Sequence, residues 1–87
     1  MLDHFICHYD MMAMNQTLFS PNGEAIKVRT QDFIKAVCSF IDLYENYDVR
    51  LEGNNSYLQG LVRQIQNYYF VNYHNKPKPH ITINGGR

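Results

Sequence analysis

Apolar and polar positions along this chain follow two rhythms, a strand-like alternation and a helical three- and four-residue spacing, separated by short turn-forming clusters. Residues 2–9, LDHFICHY, are short and apolar-rich and stop at Asp10, as a buried strand should. MMAMNQTLFS continues through a bend into a second strand that closes near Phe19. Pro21, Asn22 and Gly23 follow, and Asn-Gly supplies the positive-φ positions that a tight hairpin demands. EAIKVR then alternates, with Ala25, Lys27 and Arg29 on one side and Ile26 and Val28 on the other, which predicts a half-exposed third strand.

Thr30 is placed to cap the next segment, with Asp32 in a first turn where the helix dipole favours an anion. Phe33, Val37, Phe40, Ile41, Tyr44 and Tyr47 recur at helical spacing and predict an amphipathic helix of about seventeen residues. Asp48–Glu52 reads as a fourth strand. Asn54, Asn55 or Ser56 then caps a second helix. That helix turns Leu58, Leu61, Val62, Ile65 and Tyr69 inward and leaves Gln59, Arg63, Gln66 and Asn67 in water. It must stop before KPKP, because proline removes a donor and clashes with the preceding turn. HITIN is the last strand. The order β-β-β-α-β-α-β calls for an antiparallel meander followed by two right-handed parallel crossovers. The expected fold is one small α/β domain over residues 1–87, with a mixed five-stranded sheet in order 3-2-1-4-5 and two helices.

Composition narrows the picture. A hydrophobic share of 45%, with 14% aromatic, excludes a disordered chain. Seven tyrosines and five phenylalanines, without tryptophan, suggest that aromatics supply much of a small core. Net charge is zero but unevenly spread: residues 1–52 hold all eight acids and four bases, whereas 53–87 hold four bases and no acid. The halves are therefore −4 and +4, a split that suits either a nucleic-acid face or complementary surfaces within and between copies. Cys7 and Cys38 sit in apolar patterns without metal-ligand spacing, which favours buried free thiols in a reducing compartment over a disulfide. No apolar run approaches the roughly 18 residues that span a bilayer, so no membrane segment is expected. No basic segment followed by an apolar core marks the start of the chain, and a cytoplasmic location is expected.

Two acids fall at corresponding places, Asp10 after the first strand in FICHYD and Glu52 at the end of the fourth in VRLEG. With the order of elements, they make the chain resemble the core of the ribonuclease H-like superfamily. In that superfamily one catalytic acid sits on the first strand and another at the end of the fourth. The resemblance implies that Asp10 and Glu52 meet at one sheet edge, hold magnesium or manganese, and cleave a phosphodiester. The chain departs from the pattern in two respects. No acid follows Glu52, where the family supplies a third, and no helical pattern follows the fifth strand. His74 or His80 could stand in for the third ligand, although His80 between Pro79 and Ile81 suits a structural place better.

Other chemistry-bearing residues fall into small groups. Gly53, Asn54, Asn55 and Ser56 form a strand-to-helix turn, and their free N–H groups beside Glu52 could receive an anion or ligand. Tyr68, Tyr69, Phe70 and Tyr73 interleave with His74, Lys76 and Lys78; Tyr73, His74, Lys76 and Lys78 are the candidate contacts for nucleic acid or a partner. His4 and His8 share a strand face too far apart for joint chelation, so no metal is expected there. Met11, Met12 and Met14 read first as core filling, with an adaptable interface as the alternative. Together these features favour a non-catalytic domain without cofactor that binds nucleic acid or another protein and forms homo-oligomers. Two alternatives stand beside it. One is a minimal metal-dependent nuclease using Asp10 and Glu52, and the other is a small inhibitor or adaptor of the kind that phages and other mobile elements encode.

Overall fold

The computed structural model describes residues 5–84. Its elements are β1 (Phe5–His8), β2 (Asn15–Phe19), β3 (Ala25–Arg29), α1 (Phe33–Tyr44), β4 (Asp48–Glu52), α2 (Asn55–Asn72) and β5 (His80–Ile83). The five strands form one mixed sheet in the order β3-β2-β1-β4-β5. β1 pairs antiparallel with β2 and parallel with β4, β2 pairs antiparallel with β3, and β4 pairs parallel with β5. This is the α/β arrangement that the hydrophobic pattern predicts. His4, and residues 2–4 of the first predicted strand, lie outside the described residues, as do residues 85–87.

The hairpin between β2 and β3 uses three residues. Gly23 has φ +88 and donates its N–H to the Ser20 carbonyl at 2.9 Å, while the Ser20 N–H reaches the Glu24 carbonyl at 2.9 Å. Asn22 stays out of the left-handed region, contrary to the Asn-Gly expectation, because a turn ending in one positive-φ glycine closes a three-residue loop. The buried Ser20 hydroxyl accepts the N–H groups of Asn22 and Glu24, both at 3.2 Å.

Two expectations for the first helix fail. Thr30 does not cap it: its hydroxyl donates to the Ala13 carbonyl at 2.7 Å and receives Gln16 Nε2 at 2.7 Å. Residues Thr30–Asp32 form a 3-10 turn instead, and Asp32 pairs with Arg29 at 3.0 Å. The helix also stops after 12 residues. Glu45 takes the left-handed conformation with φ 51 and ψ 39, and the Asn46 N–H returns to the Ile41 carbonyl at 3.2 Å. Tyr47 keeps its place in the core from outside the helix, edge-on to Tyr69 at 6.3 Å. α2 begins as expected, with the Asn54 side chain accepting the Tyr57 N–H at 3.3 Å.

Both helices cover the same face of the sheet. Phe5, Cys7, Leu18, Val49 and Leu51 meet Phe33, Val37, Cys38 and Ile41 of α1 and Leu58, Leu61, Ile65 and Tyr69 of α2 in one buried cluster. Val62 is half-buried at its margin, and Gln66, expected in water, is also half-buried, with Nε2 reaching the Pro79 carbonyl at 3.5 Å. The Cys38 thiol donates to the Ile65 carbonyl at 3.5 Å and so ties α1 to α2. Cys7 and Cys38 are free and buried, and burial pushes both thiols up to about 12. The methionine loop departs from expectation: Met11, Met12 and Met14 are 55%, 85% and 85% exposed, because the connection from β1 to β2, held by Gln16 at Asp10, carries them outside the sheet. Among the described residues, no helix is long and apolar enough to cross a membrane.

Leu61→Ala should cost about 2–5 kcal/mol in urea unfolding, since its side chain is buried between helix and sheet. A near-neutral variant would contradict this packing. A thiol-disulfide reagent at mildly alkaline pH should leave Cys7 and Cys38 untouched in the folded protein and titrate both in urea, because only the thiolate reacts. Rapid labelling of the folded chain would contradict their burial.

Candidate functional site

Because β1 and β4 are adjacent and parallel, the residues that leave them arrive at the same sheet edge. The register sets His8 beside Glu52, and the Tyr9 N–H extends the pairing to the Glu52 carbonyl at 2.9 Å. Gly53 then turns the chain with φ +153 directly against Tyr9, where a Cβ would collide with the Tyr9 carbonyl oxygen. Only glycine suits both demands, so LEGNNS is first a close-packed turn between strand and helix. Asn54 caps α2 there, while Asn55 and Ser56 form its first turn.

Asp10 and Glu52 line one depression of about 300 Å³, together with His8, Tyr9, Asn15, Gln16, Thr17 and Gly53. The edge expected from the order of elements therefore exists, but both carboxylates have internal partners. Glu52 Oε1 meets His8 Nε2 at 3.0 Å, and Glu52 Oε2 accepts Asn84 Nδ2 at 3.3 Å. Asp10 Oδ1 accepts the Met12 N–H at 3.0 Å, and its carbonyl accepts the Ala13 N–H at 3.0 Å. Gln16 clamps the same loop: Oε1 accepts the Asp10 N–H at 2.8 Å, and Nε2 donates to the Asp10 carbonyl at 2.8 Å. Among the described residues, no group of three or more His, Cys, Asp and Glu is arranged to hold a metal ion. A two-metal phosphodiester site needs several unshared carboxylate oxygens, and this donor set does not fit one. Gln16 escaped notice in the sequence, although a polar residue two before Leu18 on the core-facing rhythm was the available signal.

Tyr9 and Tyr57 stack beside this edge with ring centroids 5.3 Å apart and hydroxyls 3.4 Å apart. Burial, reinforced by the Tyr57 hydroxyl, pushes the Tyr9 phenol up to about 12.

The second site lies between the last turns of α2 and the segment 73–79 that leads into β5. A groove of about 530 Å³ is lined there by Arg63, Gln66, Asn67, Tyr69, Phe70, His74, Lys76, Lys78 and Pro79. Arg63, Gln66, Asn67 and Phe70 recur at helical spacing and so share one stripe of α2. Phe70 is 72% exposed. Lys76 leans on Asp42 at 3.5 Å, while Arg63 and Lys78 have no ion pair among the described residues. Of the aromatic strip, Tyr69 is buried and its phenol is raised above the usual range by that burial, with Tyr47 and Asp42 adding to the effect. Tyr73 stacks on Tyr69 at 4.7 Å and braces the groove without lining it. His80, the other late histidine, lies on the sheet and meets Asp48 at 3.1 Å.

No family model matches the chain, nor does any curated protein or solved structure. The likeness to ribonuclease H-like proteins therefore rests on the order of the elements and the place of two acids.

Gly53→Ala should destabilise the protein by about 1–3 kcal/mol or more, read from the urea midpoint, because the new methyl must push Tyr9 away in a strained conformation. An unchanged midpoint would show that β1 and β4 are not held this tightly.

Proposed function

We propose that the chain is a non-catalytic binding module that takes single-stranded nucleic acid in the groove between α2 and residues 73–79 and associates with itself. One observation carries this reading. Arg63, His74, Lys76 and Lys78 converge on a groove that also exposes Phe70, and no acid lines it. Arginine and lysine meet phosphates without reading sequence, and an exposed phenyl ring stacks any unpaired base. A duplex keeps its base faces covered, so Phe70 favours a single strand. The alternative of a nuclease has support from the shared depression of Asp10 and Glu52, but their oxygens are engaged by His8, Asn84 and Met12. A protein partner is a second reading, supported by the exposed methionines at 11, 12 and 14, which make a deformable apolar surface.

Fluorescence anisotropy with a labelled single-stranded oligonucleotide at several salt concentrations tests the proposal. Arg63→Ala and Lys78→Ala should each weaken binding and lower the salt slope by about 0.7. Phe70→Ala should cost about 1–3 kcal/mol with the slope unchanged, since it removes a stack and no charge. Glu52→Gln should leave the affinity unaltered. Binding indifferent to Arg63, Phe70 and Lys78, or magnesium-dependent cleavage lost in Glu52→Gln, would overturn the reading.

A further inference from the structure

With both helices on one face, the other face of the sheet is uncovered among the described residues. Its side chains stand in rows fixed by the pairing register. One row runs Lys27, Thr17, His8, Glu52; the next runs Ala25, Phe19, Ile6, Arg50, Thr82. Ile6 and Phe19 are half-buried here and belong to no part of the core under the helices. The His8 ring stands edge-on to Phe19 at 5.3 Å and holds it in place. Lys27 stands on the β3 side of this face, and Asp48, Arg50 and Glu52 stand on β4, so charged side chains flank an apolar middle.

We propose that this face is where a second copy of the chain docks, about a twofold axis parallel to the strands and centred on β1. The inference rests on the self-association in the reading above and gives it a surface. Such an axis sets β1 on its own copy and β2 over β4 of the second copy, keeping each row on the same row. Ile6 then meets Ile6 of the second copy. Phe19 comes opposite Arg50 of the second copy, where a guanidinium over a ring is favourable. Lys27 comes within one strand spacing of Glu52 of the second copy. Neither Lys27 nor Arg50 has an acidic partner among the described residues, so both are available for these contacts. A twofold axis across the strands through the same row would instead set Arg50 against Arg50, and Glu52 against Asp48 of the second copy. Charge thus selects the first geometry. Aligned face-to-face packing is also the ordinary way in which two twisted sheets meet. Five strands about 4.8 Å apart, with about four residues each, cover less than the roughly 800 Å² per partner of a standard interface, so the dimer exchanges rapidly. The basic groove lies on the helical side and stays open in both copies.

Sedimentation velocity over a micromolar concentration series tests the surface. The wild-type mass should rise with concentration from 10.3 kDa towards twice that value. Ile6→Asp should hold the chain at the monomer mass with unchanged circular dichroism; Ile6→Thr, which keeps strand propensity, should do so in part. Lys27→Glu and Glu52→Lys should each weaken association at least tenfold, and the double variant should recover most of the loss. A dimer that survives Ile6→Asp, or a double variant no better than either single one, would overturn this face while leaving self-association intact. A monomer at every concentration would remove self-association itself, and the oligonucleotide titration would still decide the groove.

Discussion

The parallel pairing of β1 with β4 is the constraint on which the rest of the molecule depends. These two strands carry Phe5, Cys7, Val49 and Leu51 into the centre of the core, and neither can bury its apolar face without the other. The pairing is non-local in sequence, with β2, β3 and α1 lying between the two strands. Right-handed crossovers from β3 to β4 and from β4 to β5 both proceed in the same direction across the sheet, which puts α1 and α2 on one face. The turn after Glu52 locks this arrangement, because Gly53 lies against the Tyr9 carbonyl and lets α2 start at once.

The candidate surfaces follow from that layering. A sheet covered on one face has a second face whose composition is under no core constraint, and here it carries separated charges around Ile6 and Phe19. α2, at 18 residues, runs far enough that its last turns need a return segment, and residues 73–79 provide it. Lys76 docks on Asp42 and Tyr73 on Tyr69, which fixes the segment beside the helix and leaves the groove between them. The carboxyl edge has a different character. His8, Asn84, Met12 and Gln16 bond its acids and loop, and those bonds stabilise the strand ends. The arrangement of two acids at one edge can thus serve structure as well as metal chemistry.

Much of this was legible in the sequence where one local signal decided the outcome. Alternation in AIKVR, the helical stripe from Leu58 to Tyr69, and the proline pair after Lys76 each admit one element, and the crossover rule turns their order into a sheet. The end of α1 was hidden because Tyr47 continues the apolar period although the backbone has already turned at Glu45, so periodicity reported burial and not helix. Thr30 was misread for a related reason: a hydroxyl that can cap a helix can equally bond a distant loop, and Gln16 and Ala13 claimed it. The candidate sites show the same division. That Asp10 and Glu52 share an edge follows from topology, whereas their occupation by His8, Asn84 and Met12 depends on side-chain geometry that no spacing encodes. Phe70 was legible as part of the aromatic strip, whereas Arg63 read only as a solvated position, because its place in the groove depends on how residues 73–79 return beside α2.

Ligand binding is proposed for the groove beside α2 and not for the carboxyl edge. Backbone amide NMR on the labelled protein, titrated with a single-stranded oligonucleotide and separately with magnesium, tests it most directly. The oligonucleotide should shift Arg63, Asn67, Phe70, His74 and Lys78 and leave residues 8–10 and 52–56 in place, while magnesium should shift neither group. Magnesium-dependent shifts confined to Asp10, Glu52 and Gly53, with the groove unmoved by the oligonucleotide, would contradict it.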